Sequence, residues 1–196
     1  DIVLVATAEV YQAALKMFDQ AIHSTETLIK NQLQEVKSLY DNSLSITTPD
    51  PVFNQGYRWA LNAINRFFVN TPGLGKALVA SYSTTRKGWN GEHKVNGRPG
   101  YAWYFGRDSE WSGLALLDYG DFDKVRSQLD FLGKYQDLSG KIFHEVSTSG
   151  FIHYDASDAT PLYVVLAGKY FRHSGVLRHN HADTIHQAPI FIYHLF

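Results

Sequence analysis

The stretch Trp103-Tyr104-Phe105-Gly106-Arg107-Asp108-Ser109-Glu110-Trp111 closes a region without clear period and opens a helical one. Behind it, residues 73–105 are rich in Gly, Ser and aromatics. A loop of that length inside a folded domain is usually functional or disordered, and this one ends too aromatic to be a disordered linker; it has room for a short hairpin. Ahead of it, Trp111, Leu114 and Leu117 predict a helix over 109–119. Gly120-Asp121 then turns into a second helix carrying Phe122, Val125, Leu129 and Leu132. The residues around Arg107 and Asp108 therefore stand where a long loop meets a helical hairpin.

The same alternation extends in both directions. Upstream, Asp50 is placed to cap a helix and Pro51 to occupy its first turn, where a missing N–H costs nothing. Phe53, Tyr57, Ala60, Leu61, Ile64 and Phe68 mark its expected buried face, and Thr71-Pro72-Gly73 its end. Downstream, a long loop over 137–157 leads to Thr160-Pro161, which opens a helix with Leu162, Val165, Leu166 and Tyr170 on its apolar face. Further back, Leu15, Phe18, Ile22, Ile29, Leu33, Val36 and Tyr40 fall at nearly heptad spacing and predict one long helix over about 5–42. No strand-rich region alternates with these helices. Short turns at one end and long decorated loops at the other imply an all-α toroid with its site at the long-loop end.

Composition narrows the function. The 196 residues carry a net charge of −1, so no basic field draws nucleic acid or an anionic membrane. Arg86, Lys87, Lys94 and Arg98 are spread among glycines. No apolar run reaches the length of a membrane span. The start at Asp1 reads as a mature or trimmed end. With no cysteine in the chain, disulfides, thiolate metal sites and cysteine nucleophiles are excluded, while the compartment stays open. No phosphate-cradling glycine loop and no nucleophile elbow occurs. No cofactor is expected.

Candidate chemistry sits in two loops. An Arg107–Asp108 pair beside aromatics suits a sugar: hydroxyls donate to the carboxylate and accept from the guanidinium, while a Trp or Tyr face covers the ring's apolar side. The alternative is that Asp108 caps the helix and Arg107 pairs with a nearby acid. The second loop holds His144-Glu145, then Asp155 and Asp158 before a helix start, forming a polar rim. Adjacent His144 and Glu145 lack the spacing at which two side chains reach one metal ion, so no metal is expected. The tail with His179, His181, His186 and His194 reads as disordered or non-native rather than as a metal site.

Taken together, the motifs resemble the amylo-alpha-1,6-glucosidase (glycogen debranching enzyme) type of glycoside hydrolase. The residues that carry this are Thr48-Pro49-Asp50-Pro51 with Tyr57-Arg58-Trp59-Ala60 and Thr71-Pro72-Gly73-Leu74-Gly75, followed by Trp103 to Ser109. Gly140-Lys141-Ile142-Phe143-His144-Glu145 follows, with Phe143 where the family has Pro, and then Tyr154-Asp155-Ala156-Ser157-Asp158-Ala159-Thr160-Pro161-Leu162. The resemblance covers about 48–175. It implies an (α/α)6 toroid, a leader helix over 1–48, the first hairpins over 49–175 and an atypical tail over 176–196. It further implies inverting hydrolysis of alpha-glucosidic bonds by an acid and a base about 6.5–9.5 Å apart. By this match Arg107 and Asp108 grip the terminal sugar, with Trp103 and Asp158 shaping the same subsite. The full set of expected carbohydrate-binding residues is Trp103, Tyr104, Arg107, Asp108, Trp111, His144, Glu145, Asp155 and Asp158. The regions that supply the family's general acid and base are not recognised in the chain, so the catalytic residues stay unassigned. Three readings follow: an alpha-glucosidase, a non-catalytic fragment that holds sugar weakly, and a helical self-associating module whose exposed flanks find a second copy. The loss of helical period after Gly175 suggests a frameshift or early stop, which requires the family pattern to resume downstream in another frame.

Overall fold

The computed structural model describes residues 3–5, 7, 10–82, 87–89, 94–96 and 101–174, with 87–89 and 94–96 described by their backbone alone. The tail 176–196 with its histidines, and Arg86 and Arg98, lie outside the described residues. The chain divides into two compact units, Asp1–Asn42 and Ser43–Phe196.

In the first unit the expected single helix is two: α1, Tyr11–His23, and α2, Thr25–Asn42. The break has a local cause. The Thr25 hydroxyl donates to the carbonyls of Ala21 and Ile22 at 2.8 and 3.0 Å. Such back-bonding bends a helix, and Ser24 leaves helical geometry at φ −114°, ψ 12°. The helical ladder resumes at once, with Leu28 N–H on the Ser24 carbonyl. Neither helix contains a buried residue.

The second unit is mostly helical, with small strands of which the sequence pattern left room only for a short hairpin in 73–105. It begins with α3, Pro51–Phe67, whose first turn is capped as expected: Asp50 accepts from the N–H groups of Val52 and Phe53. Before the cap, Leu44 N–H donates to the Tyr119 carbonyl and the Tyr57 hydroxyl to the Leu44 carbonyl. The expected apolar face of α3 is not buried along its length. Only Leu61 is buried, while Phe53 and Ala60 are exposed.

The helix stops earlier than expected because Phe68–Thr71 becomes β1, paired antiparallel with β2, Gly75–Leu78, around Pro72-Gly73. Gly73 sits at φ +80°, a conformation glycine adopts without penalty. Among the described residues the outer edge of β2 meets no further strand. Three backbone groups on it and just before it are met from α5, Phe122–Lys134, and from Tyr135 just after it. Lys134 and Tyr135 donate to the Leu74 carbonyl, Ser127 to that of Lys76, and Gln128 accepts from Leu78 N–H. A further hairpin, β3 (Lys87–Trp89) with β4 (Lys94–Asn96), lies in the loop expected to have room for one.

The core is built by α4, Gly106–Tyr119, together with α5 and α6, Ala159–Ser174. Asp121 caps α5. α4 starts at Gly106 rather than 109, after Phe105 in extended geometry, so Asp108 lies in the first turn and is not its cap. Leu116, Val125, Leu132, Leu166 and Ala159 are inaccessible to solvent. On α6 the expected face is rotated: Val165 is exposed, and Tyr163, Leu166, Ala167 and Tyr170 are buried. The loop between α5 and α6 carries β6 (Glu145–Val146) and β7 (Ile152–His153). With β5 (Tyr104–Phe105) they form a sheet in the order β5-β6-β7.

Candidate functional site

The small sheet brings the start of α4 and the approach to α6 together. β5 pairs with β6 in the register Phe105 to Glu145, and Gly106 N–H continues it onto the His144 carbonyl at 2.9 Å. The first turn of α6 is tied to the same loop, since the Thr160 hydroxyl accepts from Ile142 N–H at 3.0 Å. The N-terminal ends of both helices thus gather around residues 142–146. Partial positive charge concentrates at such ends.

Across this junction Arg107 pairs with Asp158 through Nε and Oδ2, although the two stand 51 positions apart. The guanidinium holds the Asp158 carboxyl below the usual carboxylate range, and the carboxylate raises Arg107 in return. The pair is half-exposed on the Arg107 side, while the other oxygen of Asp158, Oδ1, is buried and meets no partner among the described protein atoms. His144 belongs to the same junction, its backbone carbonyl accepting from Gly106 N–H. Its ring stands edge-on to Phe105 at 5.6 Å, and its Nδ1 is buried with no partner among the described protein atoms.

Asp108 and Trp111 share a groove of about 320 Å³ with Arg107, walled by Ile64, Phe67, Leu78 and Val79. Trp111 is 59% exposed and offers an open ring face. Glu145 and Asp155 lie apart from the groove's lining. They flank His153, whose Nδ1 is 3.4 Å from Glu145 and 3.9 Å from Asp155. Trp103 and Tyr104 are buried. The Tyr104 ring packs on Phe131 at 4.6 Å and its hydroxyl bonds to that of Thr71 at 2.6 Å, so it belongs to the floor of the core.

Of the residues expected to form the site, then, Arg107, Asp158 and His144 meet at the junction, and Asp108 and Trp111 extend from Arg107 into the groove. Glu145 and Asp155 form a neighbouring cluster. Two residues were missed by sequence reasoning. His153 sits on a two-residue strand, too short to show a period. Glu110, within the stretch Trp103 to Trp111 but given no role there, is wholly buried. Its spacing from Gly106 and Gly113 on one helix face was the available signal. Among the described residues no group of three or more His, Asp or Glu is arranged to hold a metal ion, and no helix is long and apolar enough to cross a membrane.

No protein-family model, curated protein or solved structure matches this chain.

Proposed function

We propose that the chain carries a sugar-binding site of a glycoside hydrolase of the glycogen-debranching type, within the opening hairpins of an (α/α)6 toroid. The observation that carries this reading is the Arg107–Asp158 pair beside the groove of Asp108 and Trp111. A pyranose has hydroxyls that donate to carboxylates and accept from a guanidinium, and an apolar face suited to an open indole. Arg107, Asp108 and Trp111 supply those groups along one wall. The order of the motifs in the chain supports an alpha-glucoside as the ligand. The carboxylates of an inverting pair are not assigned to residues of this chain.

Calorimetric titration with glucose and with a cationic iminosugar tests the reading. The native chain binds, and Asp108→Ala or Trp111→Ala weakens binding by at least about tenfold, the size expected for losing a charge-assisted hydrogen bond or a stacked face. Absence of binding by the native chain to either ligand ends the proposal. Assays with maltose, isomaltose and an aryl alpha-glucoside then decide activity. Turnover makes the chain an enzyme by itself, and binding without turnover makes it a sugar-holding segment.

The second reading, a self-associating helical module, is favoured by one observation: Leu15, Ile22, Ile29 and Leu33 are all exposed on α1 and α2. Sedimentation giving a monomer at all concentrations would remove it.

A further inference from the structure

Ser24 bends the path from α1 to α2 without losing the helical phase. Its N–H donates to the Gln20 carbonyl and its own carbonyl accepts from Leu28 N–H, each four residues away and each at 2.9 Å. Through both helices Leu15, Ile22, Ile29 and Val36 recur every seven residues, and Phe18, Thr25, Gln32 and Leu39 follow three places after them. These are the a and d positions of a coiled coil, sustained over four heptads. The seam is open along its middle, where Ile22 is 46% and Ile29 56% exposed.

Charge narrows what can cover it. Residues 11–42 hold three lysines, Lys16, Lys30 and Lys37, against four acids, Asp19, Glu26, Glu35 and Asp41. An anionic membrane surface attracts a helix with a basic excess, which is lacking here. A second helix of balanced charge fits, and the composition of the seam suits a copy of itself. Ile22, Ile29 and Val36 place β-branched side chains at a, the choice that favours two parallel strands.

The two polar residues at d select the direction. The Thr25 hydroxyl already donates within its own helix, to Ala21 and Ile22, so it brings no unmet donor to a partner. The Gln32 amide both donates and accepts, so two copies of it satisfy each other when the strands run the same way in register. Antiparallel pairing of the same seam sets Gln32 against Ile22, an amide against a side chain with nothing to offer it, and brings Glu26 beside its own counterpart. Parallel pairing sets Ala21 beside Glu26 and Leu28 beside Leu33, with no like charges opposed.

We propose that α1 and α2 pair with the same helices of a second copy of this chain as a parallel, in-register, two-stranded coiled coil, with Ile22 and Ile29 at its centre and Gln32 fixing its direction. This rests on the self-associating reading above and adds the number, direction and register of the strands. It is independent of sugar binding. In the separated chain the seam is open, so its side chains affect stability only where protein concentration is high enough for two copies to meet.

Sedimentation and spin-label distances on the full chain test it. The chain has no cysteine, so Gln20→Cys and Gln34→Cys each give a single label site, both exposed and both at f on the outside of the coil. The sites lie about 21 Å apart along a helix. Sedimentation gives a monomer–dimer equilibrium, and Ile29→Ala weakens it by at least about tenfold. In the dimer the two like-labelled pairs give equal, short distances, and an equimolar mixture of the two variants adds a longer one. A mixed pair shorter than the like pairs shows antiparallel strands and overturns the proposal while self-association stands. A stoichiometry above two, or a dimer indifferent to Ile29→Ala, overturns it in the same way. A monomer at every concentration removes both the proposal and the reading beneath it. Because these positions are exposed, the variants leave the folded chain intact, and its unfolding transition at low concentration checks that they do.

Discussion

The first two helices and the α4–α6 pair invert the usual relation between pattern and burial. α1 and α2 show the more regular apolar stripe, yet none of their residues is buried. α4 shows a weak stripe, yet Gly106, Ser109, Glu110, Gly113, Leu116, Leu117 and Tyr119 are all buried. A regular stripe shows that a helix has one apolar face and does not show that the face is covered. A helix at the centre of its unit is enclosed on several sides, so its periodicity blurs, and small residues such as Gly113 become as necessary as large ones.

The contrast can be broken by mutation. Leu116→Ala removes a wholly buried side chain between helices and costs about 2–5 kcal/mol in denaturant unfolding. Gly106→Ala forces a methyl group against backbone that cannot move aside, and costs about 1–3 kcal/mol by the same measurement. Asp50→Ala leaves two N–H groups of α3 without their acceptor and lowers the melting temperature by the equivalent of about 1 kcal/mol. Leu33→Ala, on an open face of α2, changes stability by no more than about 0.5 kcal/mol. A cost above about 1 kcal/mol that grows with protein concentration at this last site would show a second copy covering the stripe.

Much of this was legible in the sequence where a single residue has a single job. The Asp50-Pro51 start follows from backbone groups that need a partner or tolerate losing one, and the turn at Gly120-Asp121 lies where expected. α6 opens near Thr160-Pro161, but at Ala159, with the Thr160 hydroxyl accepting from Ile142 N–H rather than capping the helix. Other features depend on context. The break at Ser24 comes from a threonine hydroxyl competing for helix carbonyls, and threonine is tolerated in many unbroken helices. The strands β5, β6 and β7 are two residues each, too short for alternation to register. The face of α6 was misjudged because Val165 is apolar but points to solvent, while Tyr163 carries a polar atom yet is buried.

At the junction, the reading of Arg107 as partner to a nearby acid was legible as an alternative, and the acid is Asp158. The sequence did not show that this acid comes from beyond the next helical hairpin, because that depends on the sheet that folds the intervening loop back. Nor did it separate Asp108, which faces the groove, from Glu110, which does not, since two acids two residues apart on a helix look equivalent until the neighbours of each face are known.

The small hairpin after α3 has a consequence for how the chain behaves in company. An unpaired strand edge is a template on which another chain can add a strand. On β2 and just before it, three groups of that kind are engaged: the carbonyls of Leu74 and Lys76 and the N–H of Leu78 are met by side chains of α5 and by Tyr135 just after it. At those groups the helix stands in for a third strand, so an added strand would first have to displace its side chains.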